Sequence, residues 1–169
     1  MRTSFLIILA ALLMAAMTSC TNEKPDGASV VSEDVSKDLV RHWITGIWDN
    51  GDKDLFRELA TDDYVYSFPG EAGLRGNAFL AYADSVRAAI PDLKNTIEEQ
   101  IGEGDMVITR GTTRGTSLGA FGDIPPSGNS IEVSWVMFTR LEDGRITEEW
   151  EIFDTFAFMT QLGAVSTPE

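Results

Sequence analysis

The stretch of this chain best equipped for chemistry is Glu148-Glu149-Trp150-Glu151, followed closely by Asp154. Cys20 is the only cysteine and His42 the only histidine. Histidine-rich zinc sites are therefore excluded, and a nucleophile relayed through histidine is hard to build. Any chemistry must run on carboxylates, tyrosines and backbone. A carboxylate acts as acid and base when apolar neighbours destabilise its charged form and bring its pKa toward working pH.

The hairpin signal at Glu142-Asp143-Gly144 decides which of these acids points inward. With a three-residue loop and glycine in the left-handed position, Leu141 pairs with Arg145. Glu151 then lies opposite Trp135, on one face with Met137, Glu149 and Phe153. Trp150, Ile152, Val136 and Phe138 fall on the other face. A one-residue slip would instead leave Glu151 as a solvated charge in an acidic run. Asp154 has two readings, helix N-cap and pocket carboxylate, and one residue can serve as both. Tyr66, Phe68 and Tyr82 are candidates for a pocket mouth, with core packing as the alternative. His42 reads as helix surface or satisfied core. Gly115-Thr116-Ser117-Leu118-Gly119 matches the nucleophile-elbow spacing, but no histidine follows and the downstream glycines and prolines do not make a helix.

Elements that could position these residues are visible on either side of Pro91. Before it, Val35, Leu39, Trp43, Ile44, Ile47 and Trp48 recur at helical spacing and should stop at Asn50-Gly51. A short helix over Asp54–Ala60, a strand at Tyr64–Phe68 and a helix from about Asn77 to Ile90 follow. After it, period-two alternation predicts four strands over Lys94–Ile101, Asp105–Ser117, Ser130–Leu141 and Arg145–Phe153. The Ser117–Ser130 connection reads as a long loop over a pocket rim. Asp154–Leu162 closes the chain as a short helix. Helices followed by an antiparallel meander predict an α+β fold: a curved four-stranded sheet packed on about three N-terminal helices, forming a cone with a pocket.

The first residues carry a separate message. An apolar run from Phe5 to Met17 follows Arg2, and Thr18-Ser19 precede Cys20. The run is shorter than the ~20 residues that span a bilayer. It reads as a lipoprotein signal peptide over 1–19, with lipidation at Cys20 and a polar tether over 20–32. The domain would occupy 33–163 and a tail 164–169. This places the protein in the bacterial cell envelope, anchored by lipid and facing the periplasm or outside. The net charge of −14 argues against a nucleic-acid partner. The apolar outer face of the sheet points to a homodimer.

Several motifs stand in a telling order: Pro91-Asp92-Leu93, Gly104-Asp105, Arg114-Gly115-Thr116 and Ile124-Pro125-Pro126-Ser127-Gly128. Asp143-Gly144-Arg145-Ile146, Glu148 to Asp154 and Gln161-Leu162-Gly163 complete the series. The series resembles the SnoaL-like polyketide cyclases, also called ester cyclases, of the nuclear transport factor 2-like superfold. The resemblance spans roughly residues 35–163. It implies an intramolecular aldol ring closure of a polyketide ester, with neither cofactor nor metal. It also implies that Glu151 is the acid/base. The family's cyclases carry a pocket histidine where this chain has Met137, so a polar group that helps bind the reacting carbonyl is absent. Two functions follow as expectations. One is acid/base chemistry on a small apolar carbonyl compound. The other is non-catalytic binding of a small apolar molecule.

Overall fold

A computed structural model describes residues 32–165. The segment read as a signal peptide, Cys20 and nearly all of the segment read as a tether lie outside the described residues. The first helix, α1 (Glu33–Ile44), begins where the Ser32 side chain accepts the Val35 N–H, with Glu33 and Asp34 favouring the positive end of the helix dipole. It widens into a π-helical turn, Thr45–Asp49, that buries Ile47 and Trp48. The chain then reverses at Asn50-Gly51, where the sequence places the stop. Val35, at the start of the expected apolar stripe, is exposed. The rest of the stripe carries buried Trp43, Ile44, Ile47 and Trp48.

Asp52 caps α2 (Lys53–Leu59) by accepting the N–H groups of Asp54 and Leu55. Next come β1 (Ala60–Phe68), β2 (Glu71–Leu74) and α3 (Gly76–Ala89). The long strands β3 (Lys94–Glu103), β4 (Met106–Thr116), β5 (Ser130–Glu142) and β6 (Arg145–Phe153) follow, and α4 (Thr155–Gln161) ends the fold. The α+β class expected from the sequence is thus what forms.

The sheet has six strands, in the order β2-β1-β6-β5-β4-β3, rather than four. Strand β1 pairs with β6 in parallel and with β2 in antiparallel fashion. Composition revealed the strand at Tyr64–Phe68 but not its partner. A parallel pairing needs a long crossover, and local pattern does not specify it. The four-residue β2 is too short to show a period. One face of the sheet packs on the helices, joining Trp43, Phe79 and Ala83 to Val107, Ile131, Trp135 and Ile146. On the other face, strand pairing aligns Ile101, Ile108, Phe138 and Trp150 in one row. Ile101 and Trp150 are exposed there, and the rings of Phe138 and Trp150 are 5.5 Å apart.

The β5–β6 hairpin corrects the expected register. Its loop has two residues, Asp143 (φ 49°) and Gly144 (φ 76°), as a type I′ turn requires. Glu142 pairs with Arg145 and Leu141 with Ile146, but Arg140 pairs with Glu148. Thr147 is therefore an extra residue, a β-bulge. Beyond it Glu151 stands opposite Met137, and Phe153 opposite Trp135. Shorter loop and bulge each move the register by one residue. Beyond the bulge the two-residue total leaves each side chain on its expected face, with Glu149, Glu151 and Phe153 inward and Trp150 and Ile152 outward.

Candidate active site

A cavity opens between the inner face of the sheet and helices α1 and α3. It encloses about 640 Å³ including its mouth. Met137, Trp135, Ile131 and Val133 of β5 form one wall, with Glu151 and Phe153 of β6 beside them. Ile44 and Trp48 come from α1 and the π-helical turn, Tyr82, Val86 and Ile90 from α3 and its end, and Phe158 from α4. The wall is mostly apolar, and among the described residues Glu151 is its only carboxylate.

Glu151 sits partly buried, where the Tyr66 hydroxyl donates a hydrogen bond to its Oε2. Burial among apolar side chains pushes its pKa up to about 7. The Tyr66 hydrogen bond opposes that rise, and the charge of Glu149 adds to it. Tyr66 in turn contacts Tyr82, with ring centroids 5.9 Å apart. Burial lifts both phenols above their ordinary value, so they remain protonated donors at neutral pH.

Glu149 lies one pleat back on the same face and is fully buried. Its Oε2 accepts from Tyr64 Oη at 2.7 Å and from Trp43 Nε1 at 3.0 Å, and Thr139 Oγ1 is 3.3 Å from Oε1. Burial still prevails over these donors and raises its pKa to about 7. The sequence set Glu149 on the inner face but offered no sign of these partners, which come from α1, β1 and β5.

The other candidates divide. Tyr82, Trp135, Met137 and Phe153 line the cavity as expected. Tyr66 lies behind the wall, hydrogen-bonded to Glu151. Phe68 is also behind it, its ring 5.2 Å from that of Tyr82 and 5.8 Å from that of Phe153. Asp154 is not a pocket carboxylate. It is exposed, and its Oδ1 accepts the Ala157 N–H at 2.9 Å as the N-cap of α4. The chain turns away from the sheet here, and the cap bond holds the carboxylate at the helix end. His42 lies on the exposed side of α1. Ser117 is buried, and its hydroxyl accepts the Ser127 N–H at 3.2 Å, a loop-stapling role. That loop packs Phe121 against the cavity residue Phe158, centroids 5.6 Å apart. Trp48 and Phe158 belong to the wall but not to the sequence-derived set. Helical spacing marked Trp48 only as apolar.

The two inward carboxylates make stability depend on pH. Their pKa is higher in the folded chain than the ordinary 4.5, so the folded state holds protons that the unfolded state releases. Stability should therefore be greatest below the ordinary value and fall as pH rises from 4.5 to about 7. Each pH unit in that window costs at most about 1.4 kcal/mol per such group. Urea denaturation at about pH 5 and about pH 8 should show this fall, with Glu149→Gln showing a smaller one. Equal loss in the variant would mean that Glu149 does not hold its proton.

Comparison with known proteins agrees with this geometry. The SnoaL-like polyketide cyclase family profile matches residues 38–162. A protein from Jannaschia sp. CCS1 assigned as a SnoaL-like polyketide cyclase has a similar structure, with a TM-score of 0.74 and 25% identity over 85% of this chain and 100% of that one. IdmH from Streptomyces antibioticus, assigned as a polyketide cyclase, has a TM-score of 0.66 and 31% identity over 76% of this chain and 98% of its own. An LEH-like epoxide hydrolase from M. tuberculosis shares the fold alone, with a TM-score of 0.60 and 18% identity over 77% of this chain and 90% of that one. No curated protein matches this sequence. A family match across most of the chain, on a fold that closes an apolar cavity around one carboxylate, leads to one assignment: the chain belongs to the SnoaL-like polyketide cyclase family.

Proposed function

We propose that this protein carries out cofactor-free acid/base chemistry on a small, largely apolar carbonyl compound, with Glu151 as the acid/base. The observation that carries this reading is a lone carboxylate on an apolar cavity wall, with one phenol, Tyr66, bonded to it. Ionised Glu151 takes a proton from the carbon next to the carbonyl. The C–H bond breaks, the O–H bond forms, and the electron pair passes into the enolate. The enolate attacks a second carbonyl within the same molecule, and Glu151 returns the proton to the resulting alkoxide. The family membership supports ring closure of this aldol type. The relatives assigned as polyketide cyclases support a polyketide ester as the substrate class.

Proton abstraction can be tested without the natural substrate. Aryl methyl ketones incubated with the protein in D₂O should take up deuterium beside the carbonyl. The rate should rise with pH to a plateau, with a midpoint near 7 as Glu151 ionises. A second reading, a non-catalytic binding protein, is favoured by Met137, which is apolar and stands directly across from Glu151. It predicts that ketones bind and none exchanges. That result with every ketone that binds would replace the enzyme reading.

The chain's first residues support an envelope location, anchored through lipid on Cys20. Cys20→Ser should abolish partitioning with membranes, and mass spectrometry of the mature wild type should find an acylated Cys20 at the N-terminus. A free, unmodified N-terminus would reject the anchor.

A further inference from the structure

Asn95, Thr113 and Glu151 on the cavity wall already have hydrogen-bond partners. Asn95 donates through Nδ2 to Asp49 Oδ1 at 2.9 Å and accepts the Thr113 hydroxyl at 2.6 Å. Glu151 accepts from Tyr66, whose ring packs against that of Tyr82 with centroids 5.9 Å apart. Two wall groups stand apart: the indole N–H groups of Trp48 and Trp135 are buried without a hydrogen-bond partner. A buried N–H normally has one, and leaving it unpaired costs free energy. An indole N–H can only donate, so whatever satisfies it must bring an acceptor.

The protein's four tryptophans make the contrast internal. Trp43 donates to Glu149, and Trp150 lies on the exposed outer face. The two unpaired indoles are the two that line the cavity, and they flank the base. Trp135 precedes Met137 by one pleat on β5, diagonal to Glu151. The six-membered edge of its ring lies over Gly111 of β4. Trp48 approaches from the helix side, its ring 5.6 Å from that of Tyr66.

We propose that the indole N–H groups of Trp48 and Trp135 are the binding donors of this cavity, each taking an acceptor oxygen of an otherwise apolar ligand held beside Glu151. The inference rests on the reading of the cavity as a carbonyl-binding site, and supplies the donors that Met137 cannot. Trp48 and Trp135 thereby select oxygenated molecules over hydrocarbons of equal shape.

The test compares 2-acetylnaphthalene with its near-isosteric hydrocarbon, 2-isopropenylnaphthalene, on the full chain. Side-chain ¹H–¹⁵N spectra resolve the indoles, and Trp48→Phe and Trp135→Phe assign them. The ketone should move the Trp48 and Trp135 indole protons downfield and leave the Trp43 signal in place. The hydrocarbon should move neither downfield. The ketone should bind more tightly by about tenfold per N–H engaged, a preference that each Phe variant reduces. The spectra of the unaltered chain decide the question even where a variant fails to fold. Glu151→Gln should retain the indole shifts, because the donors do not need the base. A ketone that shifts the Met137 methyl signal but neither indole overturns the proposal and leaves the carbonyl-binding reading standing. Indole shifts in a wild type that exchanges no ketone deuterium uphold the proposal and remove the catalytic reading. If neither probe perturbs Met137, both the proposal and the carbonyl-binding reading fall.

Discussion

Glu151→Gln should lower deuterium exchange, and turnover of any cyclisable substrate, by ~10²-fold or more, the usual scale for one positioned acid/base. Ligand affinity should change little. Glutamine keeps the length and the acceptor oxygen that Tyr66 addresses, and loses only the transferable proton. The loss should therefore appear in kcat, with KM nearly constant, as for an interaction made only in the transition state. The wild-type midpoint near pH 7 should also vanish from the rate profile, because it belongs to this carboxyl. A variant that retains both rate and midpoint would move the base elsewhere. Glu149 would not be the replacement, since it lies outside the cavity wall, spent on Tyr64, Trp43 and Thr139.

The second large effect is expected at Gly111, whose neighbours rather than its own conformation forbid a side chain. A β-carbon there would lie 2.3 Å from Trp135 Cζ2, 2.6 Å from Cη2, and 2.7 Å from the Thr96 carbonyl oxygen. The carbonyl belongs to the adjacent strand and cannot retreat without disturbing the β3–β4 pairing. The indole must shift instead, and the space next to it is the cavity. Gly111→Ala should cost about 1–3 kcal/mol, the range for overpacking a core. It should also weaken binding of an aromatic ketone by narrowing the cavity at Trp135. Urea denaturation and ligand titration measure the two effects separately. An unchanged urea midpoint would mean that the Trp135 ring does not rest on this glycine.

How far these features can be read from the sequence depends on the range of the contacts involved. Glu151 faces inward as expected only because two departures cancel: the turn is one residue shorter than the expected three-residue loop, and the bulge at Thr147 adds a residue back. The partner differs as well: Met137 stands where Trp135 was expected, because both departures move the register the same way and nothing local announces the bulge. The Asp154 cap was legible as one of two readings, and the structure retains that one. The Tyr66–Glu151 bond was hidden, because it follows from a parallel pairing of β1 with β6 across a long crossover. The same holds for Glu149, whose donors arrive from three separate elements. Trp48 carried a helical signal, yet a widened π-helical turn alters the direction of each side chain within it. Helical spacing therefore identified an apolar residue without identifying its neighbours.

The bulge at Thr147 has one more consequence. Along a strand, inside and outside are matters of odd and even, and Thr147 is where β6 changes parity. Before it Ile146 faces the core; after it the odd-numbered Glu149, Glu151 and Phe153 do. Whether that one residue pairs or bulges is thus a functional variable in its own right. Were Thr147 to pair with Arg140 instead of bulging, β6 would keep one parity from the turn to its end. It would turn Glu148, Trp150 and Ile152 toward the helices and carry both acids to the outside. In this fold, one unpaired residue outside the cavity wall decides on which side of the sheet the base stands.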